Sequence, residues 1–157
     1  GSRKDLLENS LVVIAPAGSA VDIDSLTDLA REDVEVMALG DPTSVPAGKY
    51  GMQALESAGV SEVLSPKMVF GKNVKAVVSY VETKDADAGI VFTTDALASP
   101  LVDVLLEIDP TTHGRIVYPV GIVSASTESD AAADFLDFLS GADAIRIFER
   151  YGFKVVD

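Results

Sequence analysis

The chain has 157 residues, with 25 acidic side chains against 12 basic ones, a formal net charge of −13, and no cysteine. That balance excludes nucleic acid as a partner, because no basic stripe exists to meet a phosphate backbone, and it rules out disulfides and thiolate metal sites. The 48% hydrophobic content supports a substantial core in one average domain or a small two-lobed unit. No stretch reads as a membrane span or a signal peptide. Gly1-Ser2 reads as a cloning scar, so the native beginning is expected to be missing.

Residues Asp5 to Asn9 read as a short helical tail. Leu11-Val12-Val13-Ile14-Ala15-Pro16 is an unbroken apolar run, expected as a central strand buried on both faces. Ser25 is placed to cap a short helix through Leu26, Leu29 and Ala30, with Asp28 as the acidic end of a capping box. The next strand runs from Val34 and stops at Gly40. A turn rich in glycine and proline follows, and from Ala47 to about Ala58 the apolar residues recur at helical spacing, ending at Gly59.

Val60 to Leu64 forms a further short turn, and Met68-Val69-Phe70 a short strand. Gly71-Lys72-Asn73 then opens a second helix with Asn73 as its N-cap and Val74, Val77, Val78 and Val81 as its apolar stripe. Ala88 to Phe92 and Leu101 to Ile108 read as strands, Asp109 to Gly114 as a loop, and Ile116 to Val123 as an apolar segment interrupted by Pro119. Two helices close the chain. Ser126-Thr127-Glu128 offers the first a cap, and Ala132, Phe135, Leu136 and Leu139, then Ala144, Ile145, Ile147 and Phe148, line their faces. Strands alternating with helices on short loops predict an α/β fold with a largely parallel sheet.

A strand, a glycine-rich turn and a helix together make the physical recipe for an anion site. The first turn of a helix has backbone N–H groups without intrahelical partners, and its dipole end is positive. Gly40 to Tyr50 is one such unit, in which Ala47 and Gly48 are small enough to admit a ligand; Gly71 to Val74 is a second. Asp41-Pro42 followed by Val45-Pro46 is also an ordinary rigid turn, so both readings stand on local chemistry. Lys49 and Lys72 lie near the two turns and either raise the local potential or decorate the surface.

Catalysis finds little footing. The nucleophile candidates are Ser44, Thr93, Thr94 and Ser99, and His113 is the lone histidine, in a polar loop near Asp109. Neither a nucleophile elbow nor a phosphate-binding loop is present. Asp41 and Asp95 each follow a strand, where catalytic acids often sit, but Asp41 precedes a proline and is better suited to bracing its turn. Glu82, Asp85, Asp87 and Asp95 are dispersed rather than convergent, so no cation site is expected. No catalytic residue, metal or cofactor is predicted.

Longer motifs carry a family resemblance. They are Asn9-Ser10-Leu11-Val12-Val13 with Ala15-Pro16, Gly40-Asp41-Pro42 with Val45-Pro46-Ala47-Gly48 and Tyr50, and Leu64-Ser65-Pro66-Lys67. Asn73-Val74, Tyr80-Val81-Glu82, Ala86 to Val91, Asp95-Ala96, Tyr118-Pro119-Val120 and Phe148 to Phe153 continue them through nearly the whole chain. In these the chain resembles the molybdate-binding proteins of ABC importers, extracytoplasmic solute receptors with the type II periplasmic-binding fold.

The resemblance implies a receptor that traps a tetrahedral oxyanion, molybdate or tungstate, between two lobes and hands it to a membrane permease. It implies a periplasmic or extracytoplasmic location, with a lipoprotein anchor open for the full-length form. Carried over by position, the backbone donors fall on Ala47 and Val74, with Gly48 and Asn73 beside them. The family's tyrosine hydroxyl falls on Phe92, which donates nothing, so one donor is lost unless Thr93, Thr94 or a water takes its place.

The resemblance also divides the chain. Residues 1–14 are the end of a first lobe and a crossover, 15–116 a nearly complete second lobe, and 117–157 a second crossover with two helices of an incomplete first lobe. The crossovers are expected around Leu11 to Ile14 and Tyr118 to Val123. Those helices, with Phe135, Phe138, Ile145 and Phe148, would then lack their sheet, so the fragment is expected to self-associate. Two alternatives remain: the effector-binding domain of a LysR-type transcriptional regulator, and an enzyme on a small phosphorylated or carboxylated substrate using Asp41 or Asp95.

Overall fold

The computed structural model describes residues 2–156, and the chain divides into two units: Ser10–Gly114, and the chain up to Asn9 together with everything from Arg115 onward. The smaller unit begins with β1 (Lys4–Glu8). The larger one then follows as β2 (Leu11–Pro16), a 3-10 turn (Leu26–Ala30), β3 (Met37–Gly40), α1 (Pro46–Ser57), α2 (Ser61–Leu64), β4 (Met68–Gly71), α3 (Val74–Glu82), β5 (Ala88–Phe92), α4 (Thr93–Leu97) and β6 (Val102–Glu107). The chain returns to the smaller unit as β7 (Val117–Val120), α5 (Ser129–Leu139), α6 (Ala142–Arg150) and β8 (Lys154–Val155).

The larger unit is built on a five-stranded sheet in the order β4-β3-β5-β2-β6. Every residue of β2 is buried, as its unbroken apolar run requires, and helices cover both faces. On one face α3 buries Val77, Val78 and Val81 against Val12, Ile14, Ala38 and Val91. On the other, Gly51 of α1 lies against Leu39 and Ile90. This division follows from handedness. The β3-to-β4 connection steps one way and the β4-to-β5 connection steps back across β3, so right-handed crossovers put α1 and α3 on opposite faces.

The expected largely parallel sheet is mixed. β3 is parallel to β4 and β5, whereas β2 is antiparallel to both β5 and β6. The connection from β2 to β3 carries only the 3-10 turn and no crossover helix, so it stays at one end of the sheet and β2 runs against β3 and β5. Leu11–Ile14 lies within the central buried strand expected there, an inner strand of the larger unit, which begins at Ser10.

Side chains fix the loops around this sheet. The Asp87 carboxylate accepts from the amides of Glu35 and Val36, both at 2.9 Å. Those amides are withdrawn from strand pairing, so β3 starts at Met37 and not at Val34. Lys67 donates to the carbonyls of Ala30, Arg31 and Val34 at 3.2, 2.7 and 2.8 Å, which closes the end of the 3-10 turn. At its start, Asp28 accepts from the Ser25 amide at 2.8 Å, the expected acidic half of the capping box.

The smaller unit holds a three-stranded antiparallel sheet in the order β7-β1-β8. Asp5 to Asn9, expected as a helical tail, supplies its central strand. A single turn of helix is costly to nucleate, whereas two flanking strands satisfy the backbone on both sides. Pro119 sits in edge strand β7 beside a register shift, where a missing N–H is tolerated. Of Tyr118–Val123, expected around the second crossover, the residues through Val120 belong to β7. Phe153 makes edge contacts with Tyr118 and Phe148, at centroid distances of 5.3 and 6.4 Å.

Candidate functional site

In the order β4-β3-β5 the connection leaving β3 runs to one side and that leaving β5 to the other, so a topological switch point lies between these strands. In open α/β sheets ligands bind outside the carboxyl ends of the strands at such a point. Here the carboxyl edge carries Gly40-Asp41 from β3, Gly71 from β4 and Phe92 from β5. The β3–β5 register, Met37 opposite Ala88 and Ala38 opposite Gly89, carries forward to set Asp41 level with Phe92. The Asp41 amide donates to the Gly71 carbonyl at 3.0 Å and ties the ends of β3 and β4 together.

The turn into α1 is rigid and internally satisfied up to its last residue. The Asp41 carboxylate accepts from the Thr43 amide at 2.9 Å and the Thr43 hydroxyl at 2.7 Å, and these bonds hold it below the usual carboxylate range. The Asp41 carbonyl accepts from Ser44 and Val45. Asp41 thus braces the turn, as its sequence context suggested.

Beyond the turn the hydrogen bonds stop. The N-cap is Val45, which has no side-chain acceptor, and Pro46 occupies the first helical position. The amides of Ala47 and Gly48 have no partner among the described residues, although Ala47 is fully buried. Buried backbone donors are almost always paired. Two free ones at a positive helix end are a place for an acceptor that the chain itself does not supply.

α3 opens differently. The Asn73 carboxamide oxygen accepts from Ala76 at 2.9 Å, the expected N-cap, which leaves the amides of Val74 and Lys75 without a partner among the described residues. Phe92 closes β5 as the N-cap of α4. The Thr93 amide and hydroxyl both point at the Ser10 carbonyl, at 2.9 and 3.3 Å, so that hydroxyl already has an acceptor. Thr94 is also engaged. Ala47, Gly48, Asn73, Val74, Phe92, Thr93 and Thr94 therefore all lie along one edge of the sheet.

The remaining candidates lie apart from catalytic geometry. Ser99 donates to Glu82 at 2.5 Å. His Nδ1 of residue His113 meets the Gly114 carbonyl at 2.7 Å, and its ring tilts against Tyr50. Lys49 lines a cavity of about 240 Å³ with Ser44, Tyr50 and the turn residues, and Lys72 is exposed. No cluster of metal-ligating side chains occurs among the described residues. Asp95 is half-buried, and burial pushes its carboxyl up, opposed by the charge of Lys75.

This sheet order, with free helix amides outside its carboxyl edge, is that of the type II periplasmic-binding fold. The chain belongs to the bacterial extracellular solute-binding protein family, whose model matches residues 1–154. The Bacillus subtilis protein YvgL, described as an ABC-transporter substrate-binding lipoprotein, is 40% identical over 95% of this chain and 56% of its own length. The Escherichia coli molybdate-binding protein ModA is 39% identical over 98% of this chain and 61% of its own. Among solved structures, one described as the substrate-binding domain of a molybdenum ABC transporter from Clostridium difficile matches with a TM-score of 0.91 and 38% identity. That match covers 99% of this chain and 67% of that one.

The chain thus spans between half and two thirds of the curated relatives it matches. These relatives are solute-binding proteins rather than enzymes, and the regulator alternative finds no support among them.

Proposed function

We propose that this chain is part of the solute-binding receptor of an ABC importer, and that its larger unit contributes the amides of Ala47 and Val74 to a site for a tetrahedral oxyanion, molybdate or tungstate. The observation that carries this reading is the pair of helix openings, α1 and α3, whose first backbone amides are left without partners among the described residues at one carboxyl edge of the sheet. Neutral backbone donors stabilise a dianion without a counter-charge, so the site is compatible with a net charge of −13. Fixed donors select by shape and size, because an anion that reaches only some of them leaves the rest buried and unpaired.

The names of the relatives support the ligand class and the transport role. On this reading the receptor works outside the cytoplasm, lipid-anchored or free, delivers the anion to a membrane permease and needs no cofactor. Phe92 offers no donor of its own, and Thr93 already has an acceptor, so a water is the simplest replacement for the missing bond. The exposed faces of α5 and α6 make self-association of this chain part of the same reading.

Calorimetric titration of the full-length gene product with molybdate, tungstate, sulfate and phosphate tests the proposal. Tight binding of the first two with little response to the others is the expected result. Silence toward all four from a folded protein would overturn it.

A further inference from the structure

Each of α2, α4, α5 and α6 carries an acid in its first turn, Glu62, Asp95, Asp130 and Asp143, where the positive end of the helix dipole favours one. α1 and α3 carry none. Lysine stands there instead, Lys49 in the first turn of α1 and Lys75 in that of α3, with Lys72 just ahead of the Asn73 cap. The dipole disfavours a cation at these places. In a chain with 25 acids, residues 42–55 and 63–81 hold no Asp or Glu. Around the ends of β3, β4 and β5 three lysines therefore face two acids, Asp41 and Asp95, a local excess of positive charge on a chain of net −13.

The three lysines differ in their surroundings. Lys75 shares a cavity with Asp95 and Glu82, which oppose its charge. Lys49 and Lys72 are exposed, and their side chains make no ion pair or hydrogen bond among the described residues. Lys49 lies over the turn that leads to the free amides, in the cavity of about 240 Å³ that it lines with Ser44 and Tyr50. Resting on the oxyanion reading above, we propose that Lys49 and Lys72 are capture residues. They draw the dianion through the repulsive field of an acidic protein toward the donors at Ala47 and Val74, and so set its rate of association. Coulomb attraction acts before contact, so a charge beside the site changes the association rate and its salt dependence while leaving dissociation largely alone.

The test uses the full-length gene product as wild type, as the double variant Lys49→Gln with Lys72→Gln, and as Lys84→Gln. Lys84 is exposed just past the far end of α3, so its replacement controls for net charge. Calorimetry gives the Kd for molybdate, and a chase of radiolabelled molybdate by excess unlabelled anion, read by rapid filtration, gives the dissociation rate. Their ratio is the association rate. At about 0.01 M salt the double variant is expected to associate about tenfold more slowly, the effect of two unit charges on a dianion at about 10 Å in water. Its dissociation rate should stay within about twofold of wild type. The difference should vanish near about 1 M sodium chloride, where the screening length is about 3 Å, and Lys84→Gln should follow the wild type throughout.

A thermal melt of each variant confirms folding. Should the double variant fail to fold, the single replacements take its place, each expected to slow association about threefold at low salt. Association as fast as wild type at low salt overturns the inference alone. So does a loss carried by faster dissociation, a loss that persists at about 1 M salt, or an equal slowing in Lys84→Gln. No binding by the wild type to molybdate, tungstate, sulfate or phosphate overturns the oxyanion reading and this inference with it.

Discussion

A Cβ built on Gly48 would stand 1.9 Å from the carbonyl oxygen of Gly40 and 3.0 Å from its Cα. Backbone cannot give way as a side chain can, so α1 sits this close to β3 only because residue 48 has no side chain. Gly48→Ala is expected to push the first turn of α1 away from the sheet, at a cost of about 1–3 kcal/mol or more for overpacking, and to move the Ala47 amide with it. Gly18→Ala is the control. Its Cβ meets nothing, and the penalty is the left-handed backbone at φ +72°, about 1 kcal/mol. Chemical denaturation should rank the two, and a Gly48→Ala protein as stable as Gly18→Ala would refute the packing account. The sequence shows that residue 48 is small, which reads as room for a ligand, but it does not show the β3 backbone on its other side. Asn73 was legible because its partner Ala76 is three residues away.

Capping at the two helix openings shows how an element can trade stability for an available donor. α3 carries its own cap; α1 has Val45 in the N-cap position, with φ −110° and ψ 119° already suited to one. Val45→Thr is nearly isosteric and would place a hydroxyl within reach of the Ala47 or Gly48 amide. Replacing a non-capping residue by threonine should raise the stability of the ligand-free protein by about 0.5–1 kcal/mol. The same hydroxyl competes with the anion for those amides, so molybdate affinity should fall while the melting temperature rises. A raised melting temperature with unchanged affinity would mean that the amides serve no ligand. Element types were legible wherever a helical or apolar run was long, as in α1, α3 and β2. β1 was not, because five residues with two leucines fit either period, and its partners β7 and β8 lie more than a hundred residues away in the chain.

At the scale of the whole chain, motifs spread from Asn9 to Phe153 were enough to point to the family, but strand direction was not visible in them. An apolar run reads the same in either direction, and only the pairing of β2 with β5 and β6 shows the sheet to be mixed. Surface chemistry was more transparent, and it sets two forces against each other. α5 and α6 leave Phe135, Phe138, Ile147 and Tyr151 each more than half exposed, a concentration of apolar surface that favours burial against another copy. The net charge of −13 opposes that contact by repulsion between copies. Salt weakens the repulsion, since the screening length shortens from about 30 Å at 0.01 M to about 10 Å at 0.1 M, but it leaves apolar burial intact. The 157-residue chain is therefore expected to sediment as a monomer at low ionic strength and to associate as sodium chloride is added. Phe135→Glu with Phe138→Glu should abolish the salt-induced species without lowering the melting temperature of the larger unit, which contains neither residue. A monodisperse monomer at every salt concentration, from the unmodified chain at tens of micromolar, would show that these faces do not drive association.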